Sequence, residues 1–133
     1  MKALVIDDSA VLRKVFTHML SRNGFDVIQA DNGAAGLAAL MPRIDEIGVV
    51  LISFDIPGMP ALEFVEAMHT SGSFTRPKII VLTSATQPID TASWLMAGVD
   101  DLVSKSCTDR TLLRSLQFMD LCQDSSLICG AQI

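Results

Sequence analysis

An α/β fold with a parallel sheet covered by helices on both faces is predicted by two kinds of segment that alternate along this chain. Short, uniformly apolar runs such as residues 3–6 and 49–52 are typical of strands buried on both faces. Between these runs, apolar residues recur every three or four positions, which is the spacing of an amphipathic helix. Because parallel strands need right-handed crossovers, strict alternation predicts three layers, helix–sheet–helix.

Five strand–helix units can be placed along the chain. The predicted strands cover residues 3–6, 25–30, 49–52, 78–83 and 102–103. The predicted helices run from the cap Ser9 to Asn23-Gly24, from Asn32-Gly33 to Pro42, from the loop of residues 54–60 to a break at 71–73, from near Pro88 to Gly98, and from about Thr108 to Leu121. Five such units favour the flavodoxin-like (βα)5 sandwich with strand order 2-1-3-4-5, in which strands 1 and 3 flank the topological switch point.

Length and composition predict a single domain. A chain of 133 residues supports one core, and with 50% hydrophobic and 19% charged residues that core should be well filled. We assign residues 1–122 to the domain and residues 123–133 to a C-terminal tail whose order the sequence does not determine.

Charge and cysteines narrow the class of protein. A net charge of −5 with scattered basic residues argues against a nucleic-acid or membrane surface, which needs clustered Lys and Arg. The spacings of Cys107, Cys122 and Cys129 match no zinc motif, so we expect these cysteines to be reduced thiols. The apolar start of the chain stops at two aspartates after residue 6, unlike a signal peptide. We therefore expect a soluble, cytoplasmic protein.

Polar residues follow four of the predicted strands. Asp7-Asp8, Ser53, Thr83 and Lys105 stand at these ends, and the spacings from Asp8 onward are 45, 30 and 22. Since the carboxyl ends of parallel strands share one edge of a sheet, these side chains should line a single pocket. Taken alone, Asp7-Asp8 fits either a divalent metal site, with Mg²⁺ preferred, or an acidic pair stabilised by a helix N-terminus.

This constellation resembles the receiver domain of two-component response regulators over residues 2–121. The matching motifs are Asp7-Asp8, Pro57-Gly58-Met59, Thr83-Ser84-Ala85, Ala97-Gly98 and Lys105. The resemblance implies that Asp7 and Asp8 are metal ligands and that the carbonyl of Asp55 completes the metal shell. It also implies that Thr83 and Lys105 contact a phosphoryl group.

Ser53 departs from the family, which has a phosphoaccepting aspartate at this position. A serine hydroxyl needs an adjacent base to act as a nucleophile, and His18 and His69 lie on helices predicted to face away from the pocket. A phosphoserine would also lack the lability of an acyl phosphate. We expect the Ser53 hydroxyl to face Asp8 and Lys105 without reacting.

Three alternatives are open for Asp55, two residues after Ser53. Its carboxylate could replace the lost ligand of a metal ion, pair with Lys105, or remain exposed and do neither. With one carboxylate gone and Lys105 able to neutralise the others, we expect any Mg²⁺ binding to be weak.

Other departures concern the region around strand 5. Leu102 stands where the family has an aromatic residue, and Pro60-Ala61 replaces an acidic residue and a glycine. Lys105-Ser106 replaces a cis Lys-Pro, so a trans bond is predicted because cis costs about 2.5–4 kcal/mol before a non-proline residue. Trp94 either fills volume beside Leu102 or belongs to a partner surface.

The resemblance and its departures favour a degenerate receiver domain, a signalling interaction module without enzymatic activity. Its expected partners are a histidine kinase, an output domain or another receiver, bound through the face of helix 4, strand 5 and helix 5, with a homodimer as a further option. One alternative is a working receiver whose phosphoacceptor was replaced by mutation. A small metal-dependent phosphohydrolase is disfavoured, because such enzymes need a second acid two residues after a nucleophilic aspartate, and Asp7-Asp8 lacks that spacing.

Overall fold

The computed structural model describes residues 1–69, 77–84 and 91–118, which alternate between strands and helices as predicted. In chain order the elements are β1 (Lys2–Ile6), α1 (Ala10–Ser21), β2 (Asp26–Ala30), α2 (Gly33–Leu40), a 3-10 turn (Met41–Arg43), β3 (Ile47–Ser53), α3 (Ala61–His69), β4 (Lys78–Thr83), α4 (Thr91–Met96), β5 (Asp101–Ser104) and α5 (Asp109–Phe118).

The five strands form one parallel sheet in the order β2-β1-β3-β4-β5, which confirms the predicted topology. In the register of the sheet, Ile6 lies beside Ile52, Ser53 beside Leu82, and Thr83 beside Ser104. The carboxyl ends of β1, β3, β4 and β5 therefore lie along one edge, with the switch point between β1 and β3.

Each face of the sheet carries its own apolar core. Helices α1 and α5 cover one face, where they bury Phe16, Leu20, Leu112 and Leu116. Helices α2, α3 and α4 cover the other face, where they bury Leu40, Phe64, Val65, Met68 and Trp94. Because the central strands are covered on both sides, their sequences are continuously apolar instead of alternating.

Local signals in the sequence explain several helix boundaries. The Ser9 hydroxyl accepts a hydrogen bond from the backbone N–H of Leu12, and Asn32 caps α2 in the same way through Ala35. Gly24 follows α1 with a φ of 88°, in the left-handed region where only glycine is free of steric cost.

Some predicted boundaries shift by a few residues. Strand β3 is longer at both ends and includes Ser53, while β5 covers Asp101–Ser104 rather than residues 102–103. Helix α4 ends at Met96, before the left-handed Gly98. The break at 71–73, the start of helix 4 near Pro88, the end of helix 5 at 121 and the tail at 123–133 lie outside the described residues.

Two side predictions are settled by the fold. Peptide bonds throughout the described segments are trans, including Lys105–Ser106 as predicted. Trp94 is only 8% exposed and stacks at a tilt against Phe54, with ring centroids 5.3 Å apart, in the same core against which Leu102 packs. Of the two predicted roles of Trp94, volume filling is therefore the one that the packing supports.

Within residues 1–69, 77–84 and 91–118, every helix is too short or too polar to span a membrane.

Candidate functional site

Backbone hydrogen bonds hold the loops at the carboxyl edge of the sheet close together. The N–H of Phe54, just after β3, donates to the carbonyl of Leu82 at 2.9 Å. The N–H of Lys105, just after β5, donates to the carbonyl of Thr83 at 2.8 Å. The edge therefore brings Ser53, Thr83 and Lys105 to neighbouring strand ends, as the spacing predicted.

Asp7 is a fully buried carboxylate at the end of β1. Its Oδ1 accepts a hydrogen bond from the N–H of Ser9 at 2.9 Å, and its carbonyl accepts one from Arg13 Nη1 at 2.7 Å. Its Oδ2 is buried and finds no hydrogen-bond partner in the described part of the chain. One half of this carboxylate is thus left without the donor or cation that a buried charge requires.

Burial raises the pKa of Asp7 above its ordinary value of 3.8, because removal from water penalises the charged form. The hydrogen bond from Ser9 and the charge of Lys105 oppose this effect, and the neighbouring carboxyl of Asp8 adds to it. Asp8 itself is exposed at the mouth of the pocket. The environment of Asp7 therefore favours a proton or a nearby cation.

Ser53, Asp55 and Lys105 form a closed hydrogen-bonded group. The hydroxyl of Ser53, a fully buried residue, donates to Asp55 Oδ1 at 2.8 Å. Lys105 Nζ donates to the same oxygen at 2.9 Å. The side chain of Asp55 is 56% exposed and that of Lys105 is 18% exposed, so the ion pair reaches the solvent at the carboxyl edge of the sheet.

The hydrogen bond from Lys105 lowers the pKa of Asp55 below 3.8, and the hydroxyl of Ser53 lowers it further. Both donors stabilise the ionised carboxylate more than its protonated form. Asp55 is therefore a permanent anion at neutral pH, with Lys105 as its counter-ion.

Among the three alternatives for Asp55, the geometry selects the ion pair with Lys105. The Ser53 hydroxyl was expected to face Asp8 and Lys105. It donates instead to Asp55 Oδ1, the same oxygen that accepts from Lys105. Sequence reasoning missed this bond, although a hydroxyl and a carboxylate two positions apart at a strand end provide a signal for it.

Both histidines lie away from Ser53, as predicted. His18 is on the exposed outer face of α1. His69 ends α3 and lines a cavity together with Lys78, the first residue of β4, at the opposite edge of the sheet. Neither imidazole is placed to take a proton from the Ser53 hydroxyl.

The residues offer an incomplete set of metal ligands. Mg²⁺ is commonly held by one or two carboxylates and several waters, and Asp7 with Asp8 fits that description. The buried, unpartnered Oδ2 of Asp7 is the atom that a cation would satisfy. Across the described ranges, however, acidic, His and Cys side chains do not gather in threes or more as a metal cage would require.

Comparison with known proteins identifies the family. Residues 3–117 match the response regulator receiver domain. The chain belongs to this family. It is 30% identical over 118 residues to the chemotaxis protein CheY1 of Helicobacter pylori, covering 88% of this chain and 94% of that protein. It is 26% identical over 115 residues to PilH of Pseudomonas aeruginosa, covering 86% of this chain and 93% of PilH.

Solved structures agree with the family assignment. The chemotaxis response regulator CheY4 of Vibrio cholerae superposes with a TM-score of 0.76 at 29% identity, covering 88% of this chain and 96% of that one. Receiver domains are signalling modules rather than enzymes of metabolism, and they bind Mg²⁺ at their phosphorylation site. They interact with histidine kinases, output domains and other signalling proteins.

Proposed function

We propose that this protein is a pseudo-receiver, a signalling module that works by binding partners and is not phosphorylated at the end of β3. The observation that carries the proposal is the closed group of Ser53, Asp55 and Lys105. A fully buried hydroxyl stands where the family has its phosphoacceptor, and its proton is directed to a neighbouring carboxylate.

The chemistry of this group disfavours nucleophilic attack by Ser53. A serine hydroxyl becomes a useful nucleophile only when a base takes its proton. The base in contact is Asp55, but Lys105 lowers the pKa of that carboxyl and so weakens it as a proton acceptor. The proton on Ser53 therefore remains where it is at neutral pH.

The ion pair also occupies the group that would meet a phosphoryl oxygen. In the family, the lysine at this position contacts the phosphoryl group; here Lys105 Nζ lies 2.9 Å from Asp55 Oδ1. Asp55 thus supplies a fixed negative charge to the lysine. A receiver that is phosphorylated switches between a pocket without and a pocket with a phosphoryl charge. Here the carboxylate of Asp55 gives Lys105 the same negative partner at all times.

Asp7 and Asp8 are proposed as a weak site for Mg²⁺. A bound ion would neutralise the two adjacent carboxylates and satisfy the unpartnered Oδ2 of Asp7. The carboxylate of Asp55, which could replace the lost ligand, is already engaged by Lys105. We therefore expect weak binding of Mg²⁺.

Partner binding is assigned to the face made by α4, β5 and α5. Leu95 and Met96 on α4 are 48% and 88% exposed, so two large apolar side chains of α4 are available to a partner. The expected partners are those of the family: a histidine kinase, an output domain, another receiver or a second copy of this chain. Its likeness to receiver domains and to relatives named for chemotaxis supports a role in two-component signalling.

The proposal is tested by intact mass after incubation with acetyl phosphate and Mg²⁺. We expect the mass of the protein to stay unchanged, while a receiver with an intact aspartate, run in parallel, gains one phosphoryl group. Ser53→Asp serves as the matched variant, and we expect it to gain little, because Leu102 and Ser106 have also diverged.

A stoichiometric gain of one phosphoryl group by the unaltered protein would overturn the proposal. Hydroxylamine, which cleaves an acyl phosphate and spares a phosphoserine, would then distinguish Asp55 from Ser53 as the acceptor. Loss of the modification in Asp55→Asn would support a working receiver with a displaced acceptor.

A further inference from the structure

The segment at the end of β3 takes part in two sets of contacts at once. Ser53 and Asp55 form the ion-pair group together with Lys105. Phe54 stands between the first two of these residues in the chain. The N–H of Phe54 donates to the carbonyl of Leu82, which fixes its backbone to β4, and its ring packs against the apolar core on the α3 and α4 side. A movement of Asp55 would therefore also act on the ring of Phe54.

Trp94 is the side chain that attaches α4 to this core. Among the α4 side chains described at residues 92–96, that of Trp94 is buried and the others are exposed. Its ring centroid lies 5.3 Å from that of Phe54, with the two planes tilted by 47°, and a tilted pair at this distance suits the quadrupoles of two aromatic rings. Because a helix of six residues depends on tertiary packing for its stability, this contact fixes the position of α4.

The ion pair closes a ring of contacts that passes around β4. Strands β3 and β5 lie on either side of β4 and do not pair with each other. Lys105 follows β5, and its contact with Asp55 Oδ1 at 2.9 Å joins the ends of these two strands. Helix α4 returns towards β5 through a tight turn, in which the carbonyl of Trp94 accepts a hydrogen bond from the N–H of Val99 at 3.2 Å. The contacts therefore run from β3 through the aromatic pair to α4 and β5, and the ion pair returns them to β3.

We propose that the ion-pair group is a clamp that holds α4 in one position through Phe54 and Trp94. An opened ion pair would release the loop after β3, and Trp94 would be less tightly packed. The clamp rests on the proposed function in one respect, that Leu95 and Met96 on the exposed side of α4 belong to the partner surface. A surface that is ordered before binding loses less conformational entropy on association, so the clamp would favour partner binding without phosphorylation.

The test uses the full chain and the fluorescence of Trp94, its one tryptophan. Acrylamide quenches an indole according to its access to solvent, so the buried Trp94 should be quenched slowly. Asp55→Asn removes the charge from the ion pair, and we expect it to raise the quenching constant about twofold or more by loosening α4. The matched control is Asp109→Asn, which removes the charge that pairs with Arg22 on the other face of the sheet and should leave quenching unchanged.

Variants of Phe54 show whether the aromatic pair carries the effect. In a Phe54→Leu background Trp94 has already lost the ring contact, so adding Asp55→Asn should no longer change quenching. Phe54→Tyr keeps the ring and should restore the response. Phe25→Leu, in the core on the α1 and α5 side, is the matched control, and the response to Asp55→Asn should persist in it. Circular dichroism melts would verify that every variant is folded at the temperature of the measurement.

Three results would overturn the clamp. Unchanged quenching in Asp55→Asn would show that the ion pair does not restrain α4, and an equal rise in Asp109→Asn would show a general loss of rigidity. An undiminished response in the Phe54→Leu background would show that the aromatic pair is not the route. Phosphorylation enters none of these measurements: a phosphoryl group gained from acetyl phosphate would overturn the proposed function, and quenching would still decide the clamp.

Discussion

The candidate pocket contains two carboxylates in opposite electrostatic situations. Asp7, at the end of β1, is buried, leaves one oxygen without a partner and has a raised pKa. Asp55, two residues after β3, is more than half exposed, receives two hydrogen bonds on one oxygen and has a lowered pKa. Both acids lie at the same edge of the sheet.

The difference divides the polar residues at this edge into two groups with unlike needs. On the Asp55 side, a serine hydroxyl and a lysine satisfy the anion from within the protein, so no outside ligand is needed there. On the Asp7 side, the buried carboxylate has no partner for Oδ2, and a metal ion or a proton would supply one. This edge of the sheet therefore holds a buried carboxylate with one unpartnered oxygen and, beside it, a self-contained ion pair.

The largest expected effect comes from placing a charge on the buried side of the ion pair. Ser53→Asp would add a fully buried carboxylate beside Asp55 and near Asp7, which should lower the free energy of unfolding by about 2–3 kcal/mol at pH 7 in EDTA. Urea denaturation measures this loss. The control is Ser53→Asn, which adds nearly the same volume without charge and should lose less.

Added Mg²⁺ provides a second test of the stability difference between Ser53→Asp and Ser53→Asn. A divalent ion that binds the folded state stabilises it, so added Mg²⁺ should narrow the difference between Ser53→Asp and Ser53→Asn. Equal stability of the two variants in EDTA would mean that the pocket tolerates another charge, and the contrast between its two halves would be wrong.

A gain of stability is expected on the other side of the pocket. Asp7→Asn keeps the acceptor for the N–H of Ser9 and removes a poorly satisfied buried charge, so it should stabilise the protein by about 1–2 kcal/mol at pH 7. Because the folded pKa of Asp7 is raised, the stability that this group contributes is present below 3.8 and is lost as pH rises through the folded pKa.

The advantage of Asp7→Asn should therefore shrink towards zero as the pH falls to about 3.8. Denaturation curves at several pH values between 3.5 and 7 would show this convergence. The control Asp8→Asn, at an exposed position, should change stability much less. A loss of stability in Asp7→Asn at pH 7 would contradict the assignment of Asp7 as a poorly satisfied buried carboxylate.

The smallest expected effect is the coupling between Ser53 and Asp55. A double-mutant cycle of Ser53→Ala and Asp55→Asn should give an interaction energy of about 0.5–1 kcal/mol at pH 7, since solvent screens a carboxylate that is more than half exposed. The coupling should disappear as pH falls below 3.8 through the lowered pKa of Asp55, because a protonated carboxyl is a weaker acceptor. A parallel cycle of Ser53→Ala with Asp8→Asn should give a coupling near zero.

The strand order and the edge at which the polar residues meet can be predicted from the pattern of apolar runs. Continuous apolar runs such as residues 49–52 are typical of strands covered on both faces, and the alternation of five such runs with helices restricts the strand order. Once the order is set, the residues after each strand must share one edge. This rule alone puts Asp7, Ser53, Thr83 and Lys105 at the same edge.

The pairing of the polar atoms, in contrast, depends on three-dimensional packing that the pattern does not encode. The sequence left Asp55 with three alternatives and did not predict the hydroxyl of Ser53 as its donor, because strand order fixes the backbone and leaves side-chain rotamers free. Strand order likewise does not predict the packing of Trp94 against Phe54 or the unpartnered oxygen of Asp7. Such details depend on angstrom-scale distances between residues far apart in the chain, as in the contact of Lys105 with Asp55, and local sequence patterns carry no measure of those distances.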